Sequence, residues 1–378
     1  VKNQRHTINK AKKLAQFIAG PHIIYWVMPW FMLLLVFATI EQKYIGLYDA
    51  VQIYLYNFIL WIGPLPLPGG GIALALITLS LTIKFLFYSP WSWKRSGIIV
   101  SHFGSLLLLL GGFITILNAK EGFMIIPEGK ERSFYQDYHD RRLFIYDDGQ
   151  EVLNIPFKEL SANYKIEQDN LPFILTVKNT CDNCQITPLS KKNASRKNLA
   201  AEVEISSKKS EINKEENFSG ITYRLLDKEK QNRIGEFIAL EDVTQDPPFK
   251  KYQIKIERNK TLLSFSIALQ DFQKIDYPGT AKASDYISNL TFNENGISWP
   301  VKIQMNKPYR YKGYSFFQSS FDQRDGTETT VINVVKNSGR LFPYISSFLI
   351  FLGLFMHLIS RGVRRNQSIK KLEEKKER

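Results

Sequence analysis

Chemistry in this sequence concentrates first on an imidazole inside an apolar run. His102 lies in SGIIVSHFGSLLLLLGG, residues 96–112. A neutral imidazole has one donor and one acceptor to satisfy, and lipid tails offer it neither. An ionisable residue in such a segment is by default a candidate functional residue. His357, in PYISSFLIFLGLFMHLIS (residues 343–360), is a second one. Imidazole is a common neutral ligand of haem iron, and two histidines on facing helices can fill both axial positions. The competing reading is a histidine hydrogen-bonded to a neighbouring helix. His22, beside Pro21 at the start of another apolar segment, reads as an interfacial residue, and His6 and His139 read as structural or solvated. The chain's two cysteines, Cys181 and Cys184 in TCDNCQ, have CxxC spacing. No βαβ pattern surrounds them and no helix start is evident to lower a thiol pKa, so they read as a loop-closing disulfide rather than a catalytic dithiol. A two-cysteine metal site lacks further ligands nearby. No residue is assigned a catalytic role.

The elements that must position these residues are membrane helices. Four segments are long and apolar enough to cross a hydrocarbon core of about 30 Å: residues 23–40, 72–88, 98–117 and 343–360. Lys84 lies near one end of the second, where its stem can snorkel. The basic flanks orient them. Lys2, Arg5, Lys10, Lys12 and Lys13 precede the first segment, Lys94 and Arg95 stand between the second and third, and eight Lys/Arg against three Glu follow the fourth. These flanks belong on the cytoplasmic side. The expected organisation is a cytoplasmic basic N-terminus (1–22), three transmembrane helices (23–117) with a short interfacial helix at 51–62, an exported domain (118–342), a fourth transmembrane helix (343–360) and a cytoplasmic basic tail (361–378). The first segment reads as an anchor rather than a cleaved signal. On this topology His102 and His357 lie at the same depth near the inner face. A net charge of +14 would suit a nucleic-acid binder, but its clustering beside apolar segments points to the lipid bilayer instead and excludes that class.

A mean hydropathy of −0.19 requires a large polar region. Residues 118–342 supply it and read as strands: RRLFIYD, PFILTVKN, AAEVEIS, YQIKIE, LLSFSIAL, VKIQMN and TTVINVV alternate or run apolar over five to eight residues. DDG at 147–149, YPG at 277–279 and NENG at 293–296 are turn signals. The polar stretch 191–216 reads as a loop or sheet edge. The expected fold class is an α-helical integral membrane protein with four transmembrane helices and a large exported, mainly-β domain of sandwich or barrel type.

Several motifs together resemble the ResB/CcsB family of cytochrome c biogenesis proteins (System II). One is the element order, with three spans, an exported domain and a last span. A second is the basic loop and His-containing helix, WSWKRSGIIVSHFGSLLLLLGG. A third is the run DYPGTAKASDYISNLTF followed by VKIQMNKPYRYKGYSFFQSSFD, carrying Asp276, Gly279, Ser288, Asn306, Pro308, Tyr311, Gly313, Tyr314, Gln318 and Ser319. The resemblance implies a subunit of a membrane complex that exports haem b and delivers it for covalent attachment to apocytochrome c. That makes the chain a non-catalytic or co-catalytic subunit of a cytochrome c haem lyase in the bacterial inner membrane. It implies a CcsA-like membrane partner, apocytochrome c and a thioredoxin-like thiol reductant. It places the haem-iron ligand on His102, with His357 second, because the opposing ligand in this family is thought to come from the partner. Lys94, Arg95 and Arg361 would flank haem entry, or simply anchor the inner face. Two alternatives remain from the residues themselves: a b-haem electron-transfer subunit using both histidines, and a haem-free assembly scaffold.

Overall fold

The computed structural model describes residue 10 and residues 12–89, 91–189, 194–280, 282–322 and 328–376. His6 lies outside them. The chain forms two compact units, Val1–Ala119 with Asn337–Arg378, and Lys120–Lys336.

The first unit is helical: α1 (Pro21–Ile45), α2 (Leu47–Val51), α3 (Gly70–Phe87), α4 (Ser96–Asn118) and α5 (Phe342–Lys376). α1, α3, α4 and the Phe342–Val363 part of α5 are long and apolar enough to cross a membrane, as the hydropathy pattern requires. α5 does not stop where its apolar run stops. Residues 361–376 stay helical because they are rich in Lys, Arg and Glu, which are good helix formers.

The expected interfacial helix at 51–62 is corrected. α2 ends at Val51 and one π-helical turn follows over Gln52–Tyr56. The rest of the run is a strand, β1 (Ile59–Ile62), paired with β2 (Leu65–Pro68). Gly63, at φ 60°, opens the two-residue loop it makes with Pro64, and a glycine first in such a loop favours a hairpin. Pro66 and Pro68 lack N–H groups and suit an edge strand. Trp30 Nε1 on α1 donates to the Pro68 carbonyl at 2.8 Å, tying the hairpin to the first span.

The second unit, among the described residues, is strands joined by turns and short 3-10 segments. One nine-stranded antiparallel sheet runs in the order β14 (Ile297–Gln304), β13 (Ala283–Glu294), β12 (Tyr252–Asp276), β4 (Glu131–Asp147), β3 (Lys120–Pro127), β17 (Thr329–Lys336), β16 (Tyr314–Asp322) and β15 (Tyr309–Tyr311), with β5 (Gln150–Pro156) beside β4. A four-stranded sheet runs β11 (Arg233–Leu240), β10 (Gly220–Asp227), β7 (Phe173–Cys181) and β6 (Lys165–Ile166). A ribbon of β8 (Cys184–Pro188) and β9 (Val203–Ser207) completes it. β9 falls on AAEVEIS, one of the strands read from the sequence.

Two cores share the two longest strands. Phe265, Ile267, Phe292, Ile303, Phe316, Ile332 and Met124 fill the inside of the curled nine-stranded sheet. Its edge strands β14 and β15 meet through side chains, with Trp299 Nε1 donating to Tyr309 Oη at 3.1 Å. Leu143, Ile145 and Ile256 instead pack against Phe173, Leu175, Tyr223 and Phe237 of the four-stranded sheet. Barrel-like and sandwich packing therefore both occur. β12 serves both cores by changing phase. Tyr252, Ile254 and Ile256 are buried at even positions, and Leu263, Phe265, Ile267 and Leu269 at odd ones. Side chains alternate with period two, so only a shift of register can turn the strand over. The β12–β4 register shifts at Arg258/Lys260 and again at Leu262/Ile267.

The hairpin signals at 147–149 and 293–296 are met. Asp148–Gly149 and Asn295–Gly296 form two-residue loops with both residues at positive φ. Lys312–Gly313 closes β15 to β16 in the same way. This backbone shape matches strand twist and needs glycine or a tolerant residue. The glycine of the Tyr311-Lys312-Gly313-Tyr314 motif thus has a conformational reason.

Candidate functional site

The site builds on the seam between α4 and α5. Gly97, Gly104 and Gly111 recur every seven residues along α4 and are all buried. A seven-residue spacing keeps one face of a helix turned to its neighbour. A Cβ on Gly97 would stand 2.5 Å from the His357 backbone nitrogen and 2.6 Å from the Gly353 carbonyl oxygen. A Cβ on Gly353 would stand 2.4 Å from Ser101 Oγ. The two backbones therefore touch, which in lipid is how helices gain packing energy.

This seam fixes the histidines. His357 is level with Gly97 and lies on the seam. His102 is five residues further along α4, which is about 7 Å along the axis and about 140° around the helix. The expectation of a shared depth is corrected: the hydropathy ends of the two segments are not their packing register, because α5 continues as helix past its apolar run. On α4 the His102 position is turned away from the seam that carries His357. On the far flank from α5, Phe103 meets Phe85 of α3 with ring centroids 6.1 Å apart. His102 Nδ1 is buried and has no hydrogen-bond partner. His22 Nε2 is buried and partnerless too, with its ring 4.3 Å from that of Phe17.

Arg95, Ile98, His357, Ser360 and Arg361 line one cleft of about 340 Å³ at the start of α4. That is near the lower end for small-molecule sites, about 300–1,000 Å³. Two guanidiniums and an imidazole make it a place for carboxylates or other oxyanions.

In the β unit, Cys181 and Cys184 form a disulfide across the β7–β8 turn. Both are buried among Ala200, Ile205, Ile238 and Leu240. Burial keeps the bond from exchange partners, which suits a staple rather than a redox centre. His139 is half-buried, and its backbone N–H donates to Asp137 Oδ1 at 2.8 Å. Burial holds its imidazole below the ordinary range, although Glu215 and Asp137 pull the other way. Ser288 Oγ donates to Gln318 Oε1 at 2.6 Å and shares a 2.8 Å hydrogen bond with Thr330 Oγ1. Gln318 Nε2 donates to Thr330 Oγ1 at 3.0 Å. This closed polar ring leaves the buried hydroxyls satisfied and pins β13 to β16 and β17. Tyr311 Oη donates to Glu294 Oε2 at 2.6 Å.

Four apolar helices and an inserted β-rich unit define the class, a multi-span membrane protein with a large polar domain. Residues 238–340 match the ResB-like family. That stretch runs from the end of β11 through β17, and so contains the strands of the curled sheet apart from β3, β4 and β5. The chain is also 31% identical over 99 residues to Protein NrfI of Wolinella succinogenes, covering 26% of this chain and 11% of that protein. The two findings support the ResB/CcsB placement that the motifs implied. Ser288, Tyr311, Gly313 and Gln318 lie inside the matched stretch, and each has a structural task there. The helices that carry His102 and His357 lie outside it.

Proposed function

We propose that this protein is one subunit of a membrane complex that exports haem and delivers it for attachment to exported apocytochrome c. The ResB-like match supports a role in cytochrome c biogenesis. The haem-handling part rests on one observation, the placing of His102 on an apolar helix long enough to cross a membrane. A neutral imidazole on such a helix has the donor chemistry that haem iron takes. In this reading haem b is the cargo. His102 supplies one ligand to its iron. Arg95 and Arg361 suit its carboxylates, with His357 beside them as the second candidate ligand. Because His102 stands about 7 Å along the axis and about 140° around α4 from the level of His357 on the seam, a second ligand for haem held by His102 would come from a CcsA-like partner. This is also the difficulty for a stable electron-transfer haem held by this chain alone.

The basic flanks put both termini in the cytoplasm and the β unit outside the bacterial inner membrane. In that arrangement the domain meets apocytochrome c, whose cysteines a thioredoxin-like reductant keeps reduced. The chain acts as a co-catalytic or non-catalytic subunit. The test is haem occupancy of the complex purified with its partner. Wild type should show b-type absorbance, His102→Ala should lose most of it, and His357→Ala should lose less. Unchanged haem per protein in His102→Ala overturns the assignment.

A further inference from the structure

The four-stranded sheet turns Tyr223, Leu225, Phe237 and Val177 into its core, so the alternate residues face the other way. On that outer face Glu236 of β11 is buried. Among the described residues, four cations converge on its carboxylate. Lys178 Nζ stands at 2.8 Å, Arg196 Nε at 3.4 Å, Arg233 Nη2 at 3.4 Å and Arg224 Nε at 3.6 Å. Backbone pairing sets this convergence, not chance contact of long side chains. Arg224 is the cross-strand partner of Glu236. Arg196 is bridged in parallel to it, through Lys197 N to Glu236 O at 3.0 Å and Glu236 N to Ser195 O at 2.8 Å. The β7–β10 register shifts between Thr222 and Tyr223, which leaves Lys178 as the extra residue of a bulge, and bulges re-aim side chains.

A wall stands beside this floor. Ile205 of β9 and Ala200 pack over Ile238 and Leu240, and the covered face ends at Glu236. Arg196 comes from the loop at that edge. Its Nη2 reaches Glu204 at 3.3 Å, and its Nη1 is buried with no hydrogen-bond partner. Four cations against Glu236 and Glu204 leave a surplus of two positive charges. One buried carboxylate does not need four cations, and like charges gathered this closely repel one another. Arg224 and Arg233 are about half-exposed, at 48% and 47%, and each guanidinium carries five N–H donors.

We propose that this corner binds an oxyanion, a carboxylate or phosphate, held by Arg196, Arg224 and Arg233 beside Glu236. The half-exposed guanidiniums of Arg224 and Arg233 donate to it, and Arg196 beneath them adds positive charge. The oxyanion belongs either to a free small anion or to an acidic segment of a docking protein, and the experiment separates these sources.

The test uses the full chain in detergent at fixed ionic strength, titrated with inorganic phosphate or with a hexaglutamate peptide while its melting temperature is read. A saturable upward shift is expected with wild type. Saturation by phosphate alone identifies a free anion. Saturation by hexaglutamate, with phosphate competing, identifies an acidic segment. Arg224→Gln with Arg233→Gln should weaken apparent affinity about tenfold or more. Glu236→Gln removes the competing carboxylate and should tighten it severalfold, read as the anion-induced shift within that variant. A purely structural ion-pair cluster predicts no saturable response, or a response that the arginine substitutions leave unchanged. Either result overturns the proposal.

Discussion

At the residue scale, the burial of polar atoms separates groups that look alike in sequence. His102 and His22 both keep a ring nitrogen buried without a partner, while His357 lines a cleft with two arginines. Glu236 shows how neighbours decide a charge state. Burial alone would raise its carboxyl, but the hydrogen bond and charge of Lys178, with Arg196 and Arg224, outweigh it and hold the carboxyl below its ordinary value. A carboxylate depressed in the folded state contributes stability above its unfolded pKa and loses it as pH falls through the folded value. Glu236→Gln should therefore lower the urea midpoint at pH 7, and the gap from wild type should close as pH drops below about 4. A gap that stays constant over that range would show that the Glu236 ion pairs do not stabilise the fold.

At the element scale, β4 and β12 are the members that make one domain out of two cores. The phase change of β12 occurs beside a buried polar cluster. Glu241 receives Arg141 Nε at 2.7 Å and Arg258 Nε at 2.8 Å, and the Ser219 backbone N–H donates to it at 3.2 Å. Arg141 further donates to the Asn217 carbonyl at 2.8 Å and Arg258 to the Glu215 carbonyl at 2.5 Å. These bonds satisfy groups that neither apolar core could accept. Glu241→Ala leaves two buried guanidiniums without their carboxylate and should cost about 3–5 kcal/mol in denaturant unfolding. A loss below about 1 kcal/mol would mean that the junction tolerates open charge. The phase change itself is not visible in the sequence, where YQIKIE and LLSFSIAL read as two separate strands. They are one strand of 25 residues, because a change of phase in the alternation looks like a break until the register is known.

At the scale of the whole molecule, the membrane arrangement is the claim most open to direct test. Leu262 is 76% exposed in the β unit, and the native cysteines are joined to each other. Leu262→Cys should react with a membrane-impermeant maleimide added to intact cells with a permeable outer layer. Labelling seen only after lysis would reverse the proposed orientation.

Local pattern determined much of this protein. Four apolar runs of sufficient length fixed the spans, alternating apolar residues with Asp-Gly and Asn-Gly loops fixed the β character, and the Tyr-x-Gly-Tyr and Gln-Ser run carried the family resemblance. These signals are short in range, because hydropathy, strand alternation and turn conformation are each decided by a few neighbouring residues. Tertiary structure alone decided the rest. It set His102 and His357 at different heights and turned His102 away from the seam that carries His357, since helix register follows the glycine seam and not the ends of the apolar runs. It turned the last third of the supposed interfacial helix, Ile59–Ile62, into one strand of a hairpin. It also gathered Lys178, Arg196, Arg224 and Arg233 around Glu236 from positions up to 58 residues apart, because only strand pairing brings such distant charges within a few ångströms of one another.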